Sequence, residues 1–180
     1  MRLVATEYVT IDGVFEEPGQ WSFPFFNVQA AEFKWRELQA SDALLLGRTT
    51  YEGFAAAWPT MEAGEFGEKM NTMTKYVVSS TLETADWPGS VVVDGDLATE
   101  IGRLKGKAGG DLLLSGSGRL FRGLLEANQI DLYRFMVHPI VLGSGARLFS
   151  DDGVRENLSL THHETFDSGI VILEYVPAET

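Results

Sequence analysis

The sequence predicts an α/β fold, in which a mostly parallel twisted sheet carries helices on both faces and ends in an antiparallel C-terminal edge. Up to Gln129, short apolar segments alternate with amphipathic segments of helical period, and glycines or polar residues separate them. This alternation favours a parallel sheet, because parallel strands need long crossover connections. Beyond Gln129 the helical period ends and three longer apolar segments follow, which is typical of antiparallel strands.

The individual elements follow from the periodicity and from the residues that begin and end each segment. Strands are predicted over 2–9, 43–46, 75–79, 91–93, 111–114, 130–141, 158–166 and 169–176. Helices are predicted over 27–40, 49–57, 62–72, 96–105 and 118–127. Asn27 and Asp96 suit two of the helix starts, because their side chains accept hydrogen bonds from free first-turn N–H groups. The chain has no repeat and no linker, so we expect one domain over 1–180.

Composition excludes several classes of function. The chain has 180 residues, of which 44% are hydrophobic and none is cysteine. The lack of cysteine excludes a disulfide framework, a thiol nucleophile and a cysteine zinc site. The net charge of −12, from 14 basic and 26 acidic residues, argues against nucleic acid and membrane surfaces as partners. His162 and His163 would point to opposite faces of a strand, so we expect no metal site.

The N-terminal segment and the lack of a long apolar run bear on location. Glu7 interrupts the first apolar segment, which is not typical of a secretory signal. The chain has no run of about 20 apolar residues, as a membrane span needs. We therefore expect a cytoplasmic protein.

The first motif of interest is a strand-to-helix turn at Gly47, Arg48, Thr49 and Thr50. The start of a helix exposes unpaired N–H groups and a partial positive charge, so an anion is favoured there. Arg48 adds a planar set of donors suited to a phosphate. The alternative is that Thr49 caps the helix and Arg48 pairs with a surface acid, and the residues alone leave both interpretations open.

A second strand-to-helix turn lies at Ser115, Gly116, Ser117 and Gly118. Its glycines allow close approach of a ligand to the backbone, and its serines supply hydroxyl donors. It is neither the usual dinucleotide fingerprint, since Phe121 stands in place of the third glycine, nor a P-loop. A plain tight turn is the alternative. Taken together, the two turns suit a ligand with two separate phosphate groups, such as NADPH.

Aromatic residues are dense between the first strand and the end of the following helix. Trp21, Phe25 and Phe26 are the candidates for a wall around a flat substrate ring. Residues this apolar are also common in a core, so packing is the alternative role.

The order of these motifs resembles a known family. The motifs are TIDGV (10–14), GRTTYE (47–52), YVVSS (76–80), SGSGRL (115–120) and HPIVLGSG (138–145) with LF (148–149). They are similar to the dihydrofolate reductase-like superfamily. Within it, they resemble the branch that contains the C-terminal reductase domain of the bifunctional riboflavin-biosynthesis deaminase-reductase.

The resemblance implies a dihydrofolate reductase-like fold and an NADPH-binding reductase. The 2′-phosphate would lie between the turn at 47–50 and the pair Ser79 and Ser80, the pyrophosphate at 115–119, and the nicotinamide near 11–13. The residues implied for cofactor binding are Ile11, Gly13, Gly47, Arg48, Thr49, Thr50, Ser79, Ser80, Ser115, Gly116, Ser117, Gly118, Arg119, Leu120 and Phe121. The family often dimerises through the antiparallel end of the sheet, which implies a homodimer through strands within 130–176.

The sequence also departs from the family. Dihydrofolate reductases place a carboxylate shortly after a tryptophan, whereas no acid follows Trp21 until Glu32. The deaminase half would need cysteines that this chain lacks. A phosphoribosyl substrate would favour a second basic cluster, and segment 12–33 contains no lysine or arginine.

The leading hypothesis is hydride transfer from NADPH to an imine or carbonyl carbon of a small heterocycle of pterin, pyrimidine or flavin-precursor type. Candidate catalytic residues, which would donate or orient a proton, are Asp12, Glu32 and Tyr51. Asp12 is also consistent with a turn residue and Glu32 with a solvated helix face. Two other functions stay open: an NADP(H)-binding protein without turnover, and a carrier of flat-ring ligands.

Overall fold

The computed structural model of the protein describes residues 1–149 and 153–178. The strands are β1 (Leu3–Thr10), β2 (Ser41–Gly47), β3 (Thr74–Val78), β4 (Ser90–Val93), β5 (Asp111–Ser115), β6 (Leu132–His138), β7 (Leu158–Thr165) and β8 (Val171–Pro177). The α-helices are α1 (Pro18–Trp21), α2 (Val28–Gln39), α3 (Arg48–Ala57), α4 (Gly64–Thr72), α5 (Leu97–Lys105) and α6 (Gly118–Glu126). Short 3-10 helices cover Phe23–Phe25 and Trp58–Thr60.

All eight strands join one sheet in the spatial order β4-β3-β2-β5-β1-β6-β8-β7. The strands from β4 to β6 in that order pair in parallel, while β8 pairs antiparallel with both β6 and β7. The predicted α/β sheet with an antiparallel C-terminal edge is thus confirmed. The predicted strand over 130–141 is shorter, because it ends at His138 before Pro139, which has no backbone N–H to donate.

Helices cover both faces of the sheet. On one face, Leu38 of α2, Tyr51 of α3 and Met70 of α4 pack in a cluster with Val4 and Leu44. The other face carries α5 and α6, whose buried side chains pack with the alternate residues of the same strands; this cluster includes Ile101, Leu104, Phe121, Leu124, Leu3, Ala5 and Leu45. Full burial of a side chain such as Phe121 or Leu124 contributes about 1.5–3 kcal/mol. The buried apolar side chains of the helices thereby hold one helical layer on each face of the sheet.

The chain changes direction at the centre of the sheet. From β1 it crosses through α2 towards β2 on one side, and from β5 it crosses through α6 to β6 on the other side. Pairing between β1 and β5 stops at Thr6 and Ser115, whereas β1 stays paired with β6 as far as Thr10 and His138. The sheet therefore opens between the carboxyl ends of β1 and β5, at the position where α/β sheets bind ligands.

No helix within the described residues is long and apolar enough to cross a membrane.

Candidate active site

A cleft of about 1750 Å³ runs along the carboxyl ends of the strands and under the helices of one face. One part, the polar arm, is lined by residues 47–50, 79–81, 94–95 and 115–119. The other part, the aromatic arm, is lined by Trp35, Leu38, Phe54, Trp58, Met61, Phe66 and Met70. Thr6, Glu7 and Tyr8 of β1 also line the cleft, at the point where the sheet opens. One continuous cavity thus joins a polar and an apolar half.

The two glycine-rich turns contact each other directly. The Gly47 N–H donates to Ser117 Oγ at 2.7 Å, and Ser117 Oγ donates to Thr50 Oγ1 at 2.8 Å. A Cβ atom at Gly47 would lie 2.8 Å from Ser117 Oγ, so only glycine allows this approach. Ser117 itself has φ +66°, a left-handed conformation that is rare for a residue with a side chain. Gly47 therefore allows one turn to pack against the other, a role that the sequence did not predict.

The helices that begin at these turns have no side-chain cap. Asn27 accepts from Ala30 N at 3.0 Å to cap α2, and Asp96 accepts from Thr99 N at 2.9 Å to cap α5. In contrast, no side chain of residues 1–149 or 153–178 caps the start of α3 or of α6, and Thr49 does not fill that role. First-turn residues of both helices line the polar arm. Two helix starts with uncapped N–H groups thus face one cavity, which favours an anionic ligand.

Arg48 lies at the end of the polar arm formed by β2 and β3. Its Nε donates to Glu52 at 2.7 Å and its Nη1 donates to Thr81 Oγ1 at 2.9 Å. About half of the Arg48 side chain is exposed. Ser79 Oγ accepts from the backbone N–H groups of Thr81 and Leu82, at 3.2 and 3.0 Å. Arg48 therefore does pair with a surface acid, and it also lies in the cleft beside the turn that follows β3.

Most of the residues predicted for cofactor binding line this cleft: Gly47, Arg48, Thr49, Thr50, Ser79, Ser80, Ser115, Gly116, Ser117, Gly118, Arg119 and Leu120. Ile11, Gly13 and Phe121 do not. Phe121 is fully buried in the core under α6, because it points towards the sheet. Ile11 and Gly13 belong to a turn after β1. The Ile11 N–H donates to Ile140 O and the Leu148 N–H donates to Gly13 O, so this turn is bonded to the chain that follows β6.

The three predicted catalytic residues lie in three different environments. Asp12 is outside the cleft lining and accepts from Thr10 Oγ1 at 2.6 Å and from Gly143 N at 2.8 Å. These hydrogen bonds lower the pKa of Asp12 to about 2, so it is a carboxylate that fastens a turn. Tyr51 is buried behind the cleft and accepts from Trp87 N at 3.0 Å. Glu32 lines the cleft from an exposed position on α2.

The three residues predicted to contact the substrate also lie in different environments. Phe26 lines the cleft and is 41% exposed. Trp21 and Phe25 lie outside the lining and pack on the buried ring of His138, with ring centroids 5.1 and 6.1 Å away. His138 Nδ1 lies 2.9 Å from Met136 O, and burial lowers the pKa of His138. Trp21 and Phe25 thus form the packing around a neutral core histidine.

Glu7 is a cleft residue that sequence reasoning missed. It is only 2% exposed and is the first residue of β1 beyond the pairing with β5. Its Oε1 has no hydrogen-bond partner within the described residues. Burial raises the pKa of Glu7 to about 8, although the Lys34 charge and the Gly116 N–H act in the opposite direction. The signal was an acid in the middle of an apolar strand.

A buried charge network lies beside Glu7 on α2 and β6. Glu37 accepts from Lys34 and from Arg134 Nη1, the latter at 3.0 Å, and Arg134 Nε donates to Glu174 at 2.6 Å. Burial raises the pKa of Glu37, but the two cations outweigh it and hold that pKa below its ordinary value. Lys34 also donates to Thr6 Oγ1 at 3.3 Å. The two cations of this network are balanced by its two carboxylates, and burial remains the main cause of the raised pKa of Glu7.

The strand order and the cleft define the class of protein as a dihydrofolate reductase-like fold with its cavity at the carboxyl ends of the central strands. The chain belongs to the RibD C-terminal domain family, whose sequence pattern matches residues 2–172. Among its relatives is the uncharacterised protein YyaP of Bacillus subtilis (strain 168). That protein is 28% identical over 181 residues, which cover 97% of this chain and 94% of YyaP.

Solved structures support the same fold. A putative riboflavin biosynthesis protein from Shewanella sp. PV-4 superposes with a TM-score of 0.81 at 18% identity, covering 99% of this chain and 100% of that one. Dihydrofolate reductase from Enterococcus faecalis, complexed with NADP(H) and RAB-propyl, gives a TM-score of 0.64 at 17% identity over 99% and 97%. The Thermotoga maritima deaminase and 5-amino-6-(5-phosphoribosylamino)uracil reductase gives 0.68 at 17% identity, covering 98% of this chain and 56% of that one.

Proposed function

We propose that the protein is an NADPH-dependent reductase that transfers a hydride to an imine or carbonyl carbon of a small heterocyclic molecule. The observation that carries this proposal is the pair of uncapped helix starts that Ser117 joins within one cleft. Two anion-binding positions in one cavity suit a cofactor with a pyrophosphate and a separate 2′-phosphate. Membership in a family with reductase-like structural neighbours supports the same class of reaction.

The residues present fit such a cofactor. The first-turn N–H groups of α6, together with Gly116 and Ser117, would hold the pyrophosphate. Arg48, Ser79 and Ser80 would hold the 2′-phosphate at the other end of the polar arm. When bound, the cofactor supplies the hydride, and the protein supplies position and a proton.

Glu7 is the residue that we propose for the proton, ahead of Asp12, Glu32 and Tyr51. It lines the opening between β1 and β5, and it keeps its proton at neutral pH because burial disfavours the carboxylate. Its Oε1, which has no partner among the described residues, can form a hydrogen bond with an acceptor atom of a bound ligand. Asp12, in contrast, is only half-buried, and its hydrogen bonds lower its pKa to about 2, so it is ionised.

The test of the proposed function is a titration with NADPH, NADH and NADP⁺, followed by protein fluorescence, together with NADPH oxidation over a panel of pterins, flavins and quinones. We expect NADPH to bind tightly and NADH weakly, and at least one ring compound to accept the hydride. Tight NADPH binding without turnover on any compound would instead favour a binding protein. Absence of NADPH affinity would refute both.

We propose in addition that the protein is a homodimer that associates through the antiparallel end of the sheet. Exposed apolar side chains are frequent in that part of the molecule; they include Val141, Leu142, Phe149, Val154 and Leu160. Among the described residues, strand β7 pairs with β8 alone, so its other edge is available to a second chain.

A further inference from the structure

The aromatic arm is a wall built from three helices of one face. Trp35 comes from α2, Phe54 from α3, Trp58 from the 3-10 turn after α3, and Phe66 from α4. The ring centroids are 5.4 Å apart for Trp58 and Phe66, and 6.2 Å apart for Trp35 and Phe66. Phe54 meets Trp58 edge to face at 6.2 Å. Because each ring is held by another, the wall is formed before a ligand arrives.

The mouth of the cleft is also apolar. Phe23 is 72% exposed and Met61 is 50% exposed, and both line the same cavity as the four rings. Exposed apolar surface beside a large cavity is typical of a binding site for an apolar ligand. The wall and the mouth therefore favour a flat ring as the occupant.

The charges along the cleft are distributed unequally. The cations that line it, within the described residues, are Lys34, Arg48 and Arg119. Arg48 and Arg119 belong to the polar arm, and Lys34 is paired with the buried Glu37. Carboxylates line both parts of the cleft, with Asp94 in the polar arm. Those beside the aromatic wall are Glu32, three residues before Trp35 on α2, and Glu65, immediately before Phe66 on α4.

From this placement we propose that the aromatic arm binds a flat heteroaromatic or quinoid ring that carries neither a phosphate nor a carboxylate. The wall would stack on the ring, while Glu32 and Glu65 would repel an anionic substituent and accept a cationic one. This inference rests on the proposed function, because the ring must lie beside the hydride donor to be reduced. It separates this chain from a reductase of phosphoribosyl compounds, which needs cations at the substrate end.

The experiment uses three flavins that share one ring system. Lumiflavin carries no side chain, riboflavin adds an uncharged ribityl chain, and FMN adds a phosphate to that chain. Binding to the full-length protein is followed by flavin fluorescence, with and without saturating NADP⁺. With saturating NADP⁺, which would fill the polar arm, we expect lumiflavin and riboflavin to bind with similar affinity and FMN to bind about tenfold more weakly, with a difference in affinity that shrinks at high salt.

A charge reversal then tests the cause. Glu65→Lys is expected to reduce the ratio of the FMN Kd to the riboflavin Kd by roughly threefold or more, because the new cation attracts the phosphate. Glu68→Lys is the matched control, since Glu68 is exposed on the same helix but lies outside the cleft lining, and it should leave the difference unchanged. In a second series, we expect the uncharged 6,7-dimethylpterin to bind more tightly than pterin-6-carboxylate, and Glu65→Lys to reduce that difference in affinity.

Each outcome has one meaning. The substrate class is overturned if FMN binds as tightly as riboflavin in the presence of saturating NADP⁺, or if no uncharged ring of either series binds. NADPH affinity is measured separately without any ring compound. If uncharged rings bind selectively but NADPH does not bind, the proposed reductase function is refuted and the proposed selectivity of the aromatic arm stands. If NADPH binds but FMN is preferred over riboflavin, the selectivity is refuted and the reductase function stands.

Discussion

The two arms of the cleft are built in different ways. The polar arm consists mainly of backbone and hydroxyl groups from short segments at the carboxyl ends of β2, β3 and β5. The aromatic arm consists of single side chains that α2, α3, the 3-10 helix after α3, the segment before α4 and α4 contribute, so that it forms no contiguous motif in the sequence. The polar arm is therefore visible as contiguous motifs, while the aromatic arm exists only after the helices pack. Glu7 lies at the junction of the two arms, whereas Arg48 and Ser117 lie within the polar arm.

The largest expected effect concerns Glu7, at the junction of the two arms. Unfolded Glu7 releases its proton near pH 4.5, but folded Glu7 keeps it up to about pH 8, so raising the pH between these values favours unfolding. The contribution of the protonated Glu7 is complete below pH 4.5 and lost as pH rises through 8. At roughly 1.4 kcal/mol per pKa unit, the unfolding free energy of the wild type should fall relative to Glu7→Gln by on the order of 3 kcal/mol between pH 5 and 8.

Urea denaturation of both proteins at pH 5, 6.5 and 8 measures this difference. Glu7→Gln is uncharged at every pH, and the exposed Glu68→Gln serves as the control, with no pH-dependent difference expected. A constant difference between wild type and Glu7→Gln would show that Glu7 is ionised at neutral pH.

Arg48 decides whether the far end of the polar arm recognises a 2′-phosphate. Arg48→Ala should weaken NADPH binding by about 1.5–3 kcal/mol through loss of a charge-assisted contact, which is roughly 10- to 100-fold in Kd. NADH binding should change little. Arg103→Ala, which removes a similar exposed arginine paired with Glu100 outside the cleft, is the control for titrations of both cofactors. Equal losses of affinity for NADPH and NADH would contradict the assignment of Arg48 to the 2′-phosphate.

Ser117 tests whether contact between the two turns shapes the polar arm. Ser117→Ala leaves Gly47 N–H without its side-chain acceptor, so we expect about 1–2 kcal/mol lower stability and several-fold weaker NADPH binding. Ser90→Ala is the control, because Ser90 Oγ is buried without a partner among the described residues and its removal should not destabilise. Thermal unfolding and cofactor titration report both quantities. Unchanged NADPH affinity in Ser117→Ala would mean that the turns act independently.

The smallest expected effect on stability lies far from both arms. Leu160→Lys places a charge on an exposed position of β7, so the free energy of unfolding of the subunit should change by no more than about 0.5 kcal/mol. If the antiparallel end forms the dimer, light scattering after size exclusion should nevertheless show a shift towards monomer. A monomeric wild-type protein would contradict the dimer directly.

Much of the fold could be predicted because it depends on local pattern. The helix that Asn27 caps was predicted over 27–40 and is present as Val28–Gln39, since period and capping residue agree. The spatial order of the strands could not be predicted. It depends on which side each crossover takes, and β5 lies between β1 and β2 although 63 residues separate the end of β2 from the start of β5.

Two acidic residues, one on the first strand and one in the turn after it, show how far the site could be predicted from the sequence. Glu7 and Asp12 are five residues apart, yet the pKa of Glu7 is raised to about 8 and that of Asp12 is lowered to about 2. Asp12 was a candidate because the family resemblance places residues 11–13 near the nicotinamide. The environment decides instead: Glu7 is buried where the sheet opens, and Asp12 accepts hydrogen bonds from a distant loop.

By itself, the sequence determined the α/β class, the antiparallel edge and the two glycine-rich turns, because each depends on residues that are neighbours in the chain. The tertiary structure alone decided that Ser117 joins the turns, that Trp35, Phe54, Trp58 and Phe66 form one wall, and that Glu7 holds its proton. These features depend on distances between separate elements and on exclusion of water, which become defined only when the helices pack on the sheet.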